Sequence, residues 1–116
     1  MIKRIYKPLV LALALCMPAS AMAARWCEGK ISAFYTDISG SFFILPTFRG
    51  EWVQICSVNQ AWKGVSTQTC GIWVSSVITG TASDRNFTVF YNEDFACLAI
   101  PAYSSAQAPG YVMMHK

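Results

Sequence analysis

The stretch Cys70-Gly-Ile-Trp-Val-Ser-Ser-Val-Ile-Thr-Gly80 decides the fold. Cys70, Trp73, Val74, Val77 and Ile78 stand at i, i+3, i+4, i+7 and i+8, the apolar stripe of an amphipathic helix. A strand would alternate at every second residue, and Trp73-Val74-Ser75-Ser76-Val77-Ile78 does not. Composition opposes a helix, since Val, Ile, Thr and Ser are weak helix formers. The periodicity decides, and the segment is read as a helix. Ser66 or Thr67 is placed to cap its start, and Gly80 to end it.

On both sides of this segment the period changes to two. Upstream, Lys30 to Asp37 alternates Ile31, Ala33 and Tyr35 with Ser32, Phe34 and Thr36. Ser41 to Leu45, stopped by Pro46, and Glu51 to Val58 are two more runs of strand formers. Asp37-Ile38-Ser39-Gly40 and Arg49-Gly50 supply the turns, because Asp and Ser favour turn starts and Gly accepts positive φ. These three strands read as a meander of hairpins. Asn59 to Gly64 is a loop. Downstream, Asn86 to Asn92 is a fourth strand, and Ala96 to Ile100 a fifth, stopped by Pro101. A small-residue loop from Tyr103 to Pro109 leads to a last short strand, Gly110 to His115. The expected order is three strands, one helix, then two or three strands. That is a mainly β (α+β) domain, read as a five- to six-stranded antiparallel OB-like barrel plugged by one helix.

The first residues have a different character. Lys3, Arg4 and Lys7 form a basic start, Leu9 to Met17 an apolar run too short to span a bilayer, and Ala21-Met22-Ala23 a small-residue exit. Residues 1–23 are read as a cleaved signal peptide, and 24–116 as one disulfide-stapled domain. Secretion or a periplasmic location follows, with no membrane span. Cys16 follows Leu13-Ala14-Leu15, but Leu15 stands where a lipobox has a small residue, so Cys16 is read as part of the apolar run.

Removing the leader changes the charge. The whole chain carries nine Lys and Arg against six Asp and Glu. Beyond Ala23 the bases are Arg25, Lys30, Arg49, Lys63, Arg85 and Lys116, and all six acids remain. The domain is formally neutral, so nucleic acid is not an expected partner.

Beyond the leader stand Cys27, Cys56, Cys70 and Cys97. Four cysteines in an oxidising compartment make two disulfides, with three pairings open. The preferred pairing is Cys56–Cys70, closing a short loop, and Cys27–Cys97, tying the N-terminus to a late strand. No Cys-x-x-Cys spacing occurs, and the single histidine is His115, so neither a metal site nor a cofactor is expected.

Catalytic constellations are not legible. Glu93 and Asp94 are adjacent, so in a strand they would face opposite ways. Asp37, Glu51 and Asp84 fall at strand ends or turns, where acids serve conformation. A hydrolase of unfamiliar type would have to draw on Glu51 and Asp84. A serine triad needs a base, and His115 is expected on a flexible tail. The chain is read as non-enzymatic.

Aromatic residues point instead to binding. Flat rings pack on sugars and protein anchors at small entropic cost. Trp73 belongs to the helix stripe and the core, and Trp26 is read as a cover for the Cys27 disulfide. Trp52 near a hairpin turn, Trp62 in the Asn59–Gly64 loop, and Tyr103 and Tyr111 flanking the late loop are the candidate binding residues. The expected ligand is a glycan or a protein. A different expectation is a periplasmic inhibitor or immunity protein that blocks a lytic enzyme with one rigid loop.

Trp26, Gly29, Cys56, Cys70, Trp73 and the strand Phe87 to Tyr91 follow a pattern that resembles exported B subunits of pentameric bacterial toxins of the subtilase cytotoxin and typhoid toxin types. The chain departs from it in the cysteine beside Trp26 and in lacking a closely spaced C-terminal cysteine pair. The resemblance implies an OB-fold and glycan binding by a homo-oligomer.

Overall fold

A computed structural model describes residues 24–116; the expected leader, residues 1–23 with Cys16, lies outside the described residues. The elements are β1 (Arg25–Gly29), β2 (Ile31–Thr36), β3 (Ser41–Pro46), β4 (Val53–Ser57), α1 (Thr67–Ala82), β5 (Asn86–Tyr91) and β6 (Tyr111–His115). They form two antiparallel sheets of three strands. Sheet A runs β1-β5-β6 and sheet B runs β2-β3-β4. No strand of one sheet pairs with a strand of the other, so the expected OB-like barrel is not closed. The mainly β architecture with one helix and two disulfides stands.

The chain crosses between the sheets at Lys30. Thr47 locks this corner: its hydroxyl accepts from the Lys30 N–H at 3.0 Å, and its own N–H donates to the Lys30 carbonyl at 2.9 Å. Between the sheets lies one core, with Ile31, Phe42, Ile44, Val53 and Ile55 from sheet B and Phe87, Val89 and Tyr91 from sheet A. Helix α1 contributes Trp73 and Val77 to it. The helix packs on β6 as well as on β2 and β4, so it joins the sheets that the strands leave separate.

Helix α1 shows why the weak formers succeed. The Ser66 hydroxyl accepts from the Thr69 N–H at 3.1 Å and caps the first turn. Cys70, Trp73 and Val77 are buried, whereas Ile78 from the same expected stripe is exposed. The helix also continues past Gly80. That glycine is a gap rather than a stop: a methyl there would come within 2.8 Å of Met114 Sδ and strike the Phe87 ring. The actual stop is Asp84, whose φ is +54°. Arg85 N–H donates to the Gly80 carbonyl at 2.8 Å and Asp84 N–H to Thr81 at 3.3 Å, the bond pair of a Schellman cap.

Three further differences from the sequence reading have physical causes. Strand β1 was not expected, because only Cys27 of its five residues is buried; it exists through pairing along β5, from Arg25↔Tyr91 to Gly29↔Phe87. Ala96 to Ile100 is not a strand but a short 3-10 turn at Cys97–Ala99, with Leu98 exposed. His115 is not on a loose tail but closes β6 opposite Asn86. Two disulfides link Cys27 to Cys97 and Cys56 to Cys70, the pairs preferred from the sequence. The first fastens β1 to the 3-10 turn, and the second fastens β4 to the first turn of α1.

Candidate functional site

The loop that follows the 3-10 turn organises one end of the molecule. Tyr103 pairs with β4 through its backbone: its N–H donates to Trp52 O at 2.7 Å, and its carbonyl accepts from Gln54 N–H at 3.1 Å. A second tie comes from the 62–65 turn, closed by reciprocal bonds between Trp62 and Val65 at 3.0 and 2.9 Å. The Lys63 ammonium lies 4.8 Å from the Trp62 ring centre and donates to the Ser104 and Ala106 carbonyls. Lys63 and Tyr103 both hold positive φ, at +46° and +54°. At Lys63 this is the conformation of a two-residue turn, since Gly64 beside it is also at positive φ, +86°.

Beside these loops opens a cavity of about 410 Å³. Its walls are Lys63 to Ser66, Thr69 and Trp73 on one side, and Asn92 with Ala108 to Gly110 on the other. The combination sets an indole beside two hydroxyl residues, an amide and a cation. Its size falls within the range of small-molecule sites.

Two groups of aromatic rings flank this region. On sheet A, Trp26, Phe90 and Tyr111 sit side by side on β1, β5 and β6, since the register pairs Trp26 with Phe90 and Phe90 with Tyr111. Phe90 and Tyr111 stack at 4.9 Å with planes 11° apart, and Trp26 lies 5.2 Å from Phe90. Trp26 Nε1 donates to the Tyr111 hydroxyl at 2.9 Å, which fixes both outer rings. A methyl at Gly110 would fall 2.7 Å from the Phe90 ring, so this row of rings abuts the cavity wall.

On sheet B the rings of Tyr35, Phe43, Trp52 and Tyr103 form a second group. Tyr35 stacks on Phe43 at 4.8 Å and meets the edge of Trp52 at 4.8 Å, and Phe43 lies 6.1 Å from Tyr103. Phe43 is buried; Tyr35 and Tyr103 are exposed. Lost hydration, then the nearby Tyr103 and Asp37, push the Tyr35 hydroxyl above its ordinary pKa.

The four residues singled out in the sequence therefore do not form one site. Trp52 and Tyr103 belong to the ring group on sheet B, and Tyr111 to the row on sheet A. Trp62 stands beside Lys63 at the cavity's edge. None of the four lines the cavity itself. Trp26, read as a disulfide cover, is 56% exposed and contributes a face to the sheet A row. Pairing of β1 with β5 places it there, and nothing local in the sequence marks that pairing.

One polar cluster has the composition of a catalytic set. The Thr88 hydroxyl lies 3.0 Å from His115 Nε2 and donates to Glu28 Oε1 at 3.2 Å. Thr88 is 2% exposed, and Glu28 meets the hydroxyl rather than the imidazole it would have to orient. The cluster ties β1, β5 and β6 together. Glu93 and Asp94 are exposed and engaged separately, Asp94 with Arg25 at 2.8 Å and Glu93 with Gln107 at 3.4 Å. Among the described residues no group of three or more His, Cys, Asp or Glu is placed to hold a metal. No helix there is long and apolar enough to cross a membrane. Comparison with protein families, characterised proteins and solved structures finds no match for this chain.

Proposed function

We propose that this chain is an exported, non-enzymatic glycan-binding domain whose site is the cavity between the start of α1 and the 108–110 segment, extended by the row Trp26-Phe90-Tyr111. The cavity carries this reading. Sugars present hydroxyls around an apolar ring face, and a lining that mixes Trp73 with Ser66, Thr69, Asn92 and Lys63 suits both aspects. The adjoining aromatic row offers stacking area to the next sugar of a chain. The two disulfides support an oxidising compartment. The resemblance to toxin B subunits adds a homo-oligomer and a receptor-binding role to this proposal.

The test is a glycan array followed by titration calorimetry of the best binder. Asn92→Ala removes a cavity wall and Trp26→Ala removes an exposed ring, and neither side chain belongs to the core. Each is expected to weaken binding about tenfold or more, a loss of at least roughly 1.4 kcal/mol. Melting temperatures should stay close to wild type. An array without binders, or a glycan held equally well by both variants, overturns the assignment.

A further inference from the structure

The outer edge of β6 is left unguarded by the described residues. Among them, no hydrogen bond from beyond β5 reaches the main chain of residues 111–115. The outer edges of β1, β2 and β4 are each protected. Tyr103 pairs with β4, the Cys27–Cys97 disulfide fastens the 3-10 turn to β1, and β2 carries an irregularity between Ile31 and Ala33. Strand β6 instead runs in unbroken register with β5, from Asn86↔His115 to Phe90↔Tyr111. It contains no proline and no Lys, Arg, Asp or Glu, the residues that keep natural edges from pairing.

Exposed side chains stand on both faces of this edge. Tyr111 and Met113 lie on the outer face, where Tyr111 continues the row from Trp26 and Phe90. Met114 lies on the inner face, close to Gly80 of α1. All three are exposed, at 39%, 45% and 38%. A flat partner surface covers only one of these faces. An extended strand meets both, and it also bonds the main-chain N–H and C=O groups that alternate between them.

The sequence of β6 is complementary to itself. Full antiparallel overlap of two copies places Met113 opposite Met113, Val112 opposite Met114 and Tyr111 opposite His115. Each pair joins side chains of the same face, and none opposes like charges. We propose that β6 is a self-association edge: a second copy of this chain adds its own β6 antiparallel, about a two-fold axis at Met113. The product is a continuous six-stranded sheet in the order β1-β5-β6-β6-β5-β1. Its symmetry closes after two copies and leaves no further β6 edge to pair. Both Trp26-Phe90-Tyr111 rows then share one face, and both α1 helices share the other. The pairing does not rest on the glycan reading, although it would give that reading two stacking surfaces on one side of the dimer.

The test is sedimentation equilibrium of the oxidised protein, without sugar, from micromolar to millimolar concentrations. Wild type is expected to show a monomer–dimer equilibrium. Met113→Lys and Met113→Glu each set like charges face to face at the two-fold axis, and each should weaken the dimer about tenfold or more. Met113 is an exposed side chain, so both variants should melt close to wild type. Mixing the two variants turns the repulsion into an ion pair, and the mixture should regain the dimer. Any of three results overturns the proposal. Wild type stays monomeric throughout, even where a foreign peptide adds to the edge; an assembly of any size survives both variants unchanged; or the mixed variants remain monomeric. Affinity for a soluble sugar is titrated separately on the Met113→Lys monomer, so the pairing and the glycan reading fail independently.

Discussion

Sheets A and B each have three antiparallel strands, yet their last strands end in different surroundings. In sheet B, every residue of β4 is buried. Its outer edge is covered by Tyr103, which pairs with Trp52 and Gln54, while α1 packs on it. In sheet A, no residue of β6 is buried, three of its five being exposed and two half-buried, and its outer edge has no strand partner among the described residues. A loop thus caps one sheet and leaves the other open. The difference shows how a small domain uses irregular chain: the 103–110 segment completes the core of sheet B and then supplies a wall of the cavity beside sheet A.

The largest test of this contrast is removal of the cross-links. Cys27 and Cys97 are separated by 70 residues, Cys56 and Cys70 by 14. On loop-closure entropy, replacing Cys27 and Cys97 by Ser should cost about 4 kcal/mol, and replacing Cys56 and Cys70 about 3 kcal/mol. Urea melts of the two double variants measure the order. The reverse order would show that the buried Cys56–Cys70 pair supports sheet B by packing more than by restricting the unfolded chain.

A smaller effect is expected where the helix meets the open sheet. Gly80→Ala gains helix propensity but forces a methyl against Phe87 and Met114. Overpacking of this kind costs about 1–3 kcal/mol, which should outweigh a gain of about 1 kcal/mol. A variant more stable than wild type in thermal melts would mean that β6 yields easily, as an uncovered edge can.

The smallest effect belongs to the hairpin of sheet B. The Ser39 hydroxyl, helped by backbone N–H groups, holds the Asp37 carboxyl below its ordinary value of 3.8. A depressed folded value means that the turn is stabilised above the unfolded aspartate pKa and loses that help as pH falls through the folded one. The melting-temperature advantage of wild type over Asp37→Asn should therefore narrow towards acid pH. A constant gap would leave the carboxylate no part in the turn.

Much of sheet B could be read locally. The hairpin from Ile31 to Leu45 announces itself through alternation and an Asp-x-Ser-Gly turn, and the helix through the spacing of Cys70, Trp73 and Val77. Sheet A was legible only in β5 and β6, because β1 depends on partners some 60 positions later in the chain and buries a single side chain. Gly80 misled for a related reason: an internal glycine and a terminal one look alike until Phe87 and Met114 are placed beside it. The candidate site was legible as loops but not as an assembly. Trp62, Tyr103 and Tyr111 mark its surroundings, whereas the cavity is made by Thr69, Asn92 and Ala108, residues without local distinction.

The nested disulfides impose an order on maturation. A chain made from its N-terminus offers Cys27 first and Cys56 next, and these two do not belong together. Cys70 must follow before Cys56 has its proper partner, and Cys27 must wait for Cys97. An oxidant acting on thiols in order of appearance would join Cys27 to Cys56 and trap the first strand beside β4. Productive maturation then requires either an oxidant slower than synthesis or an isomerase that reopens the early bond. Where oxidation keeps pace with synthesis, disulfide exchange then governs the yield of this domain alongside the stability of its fold.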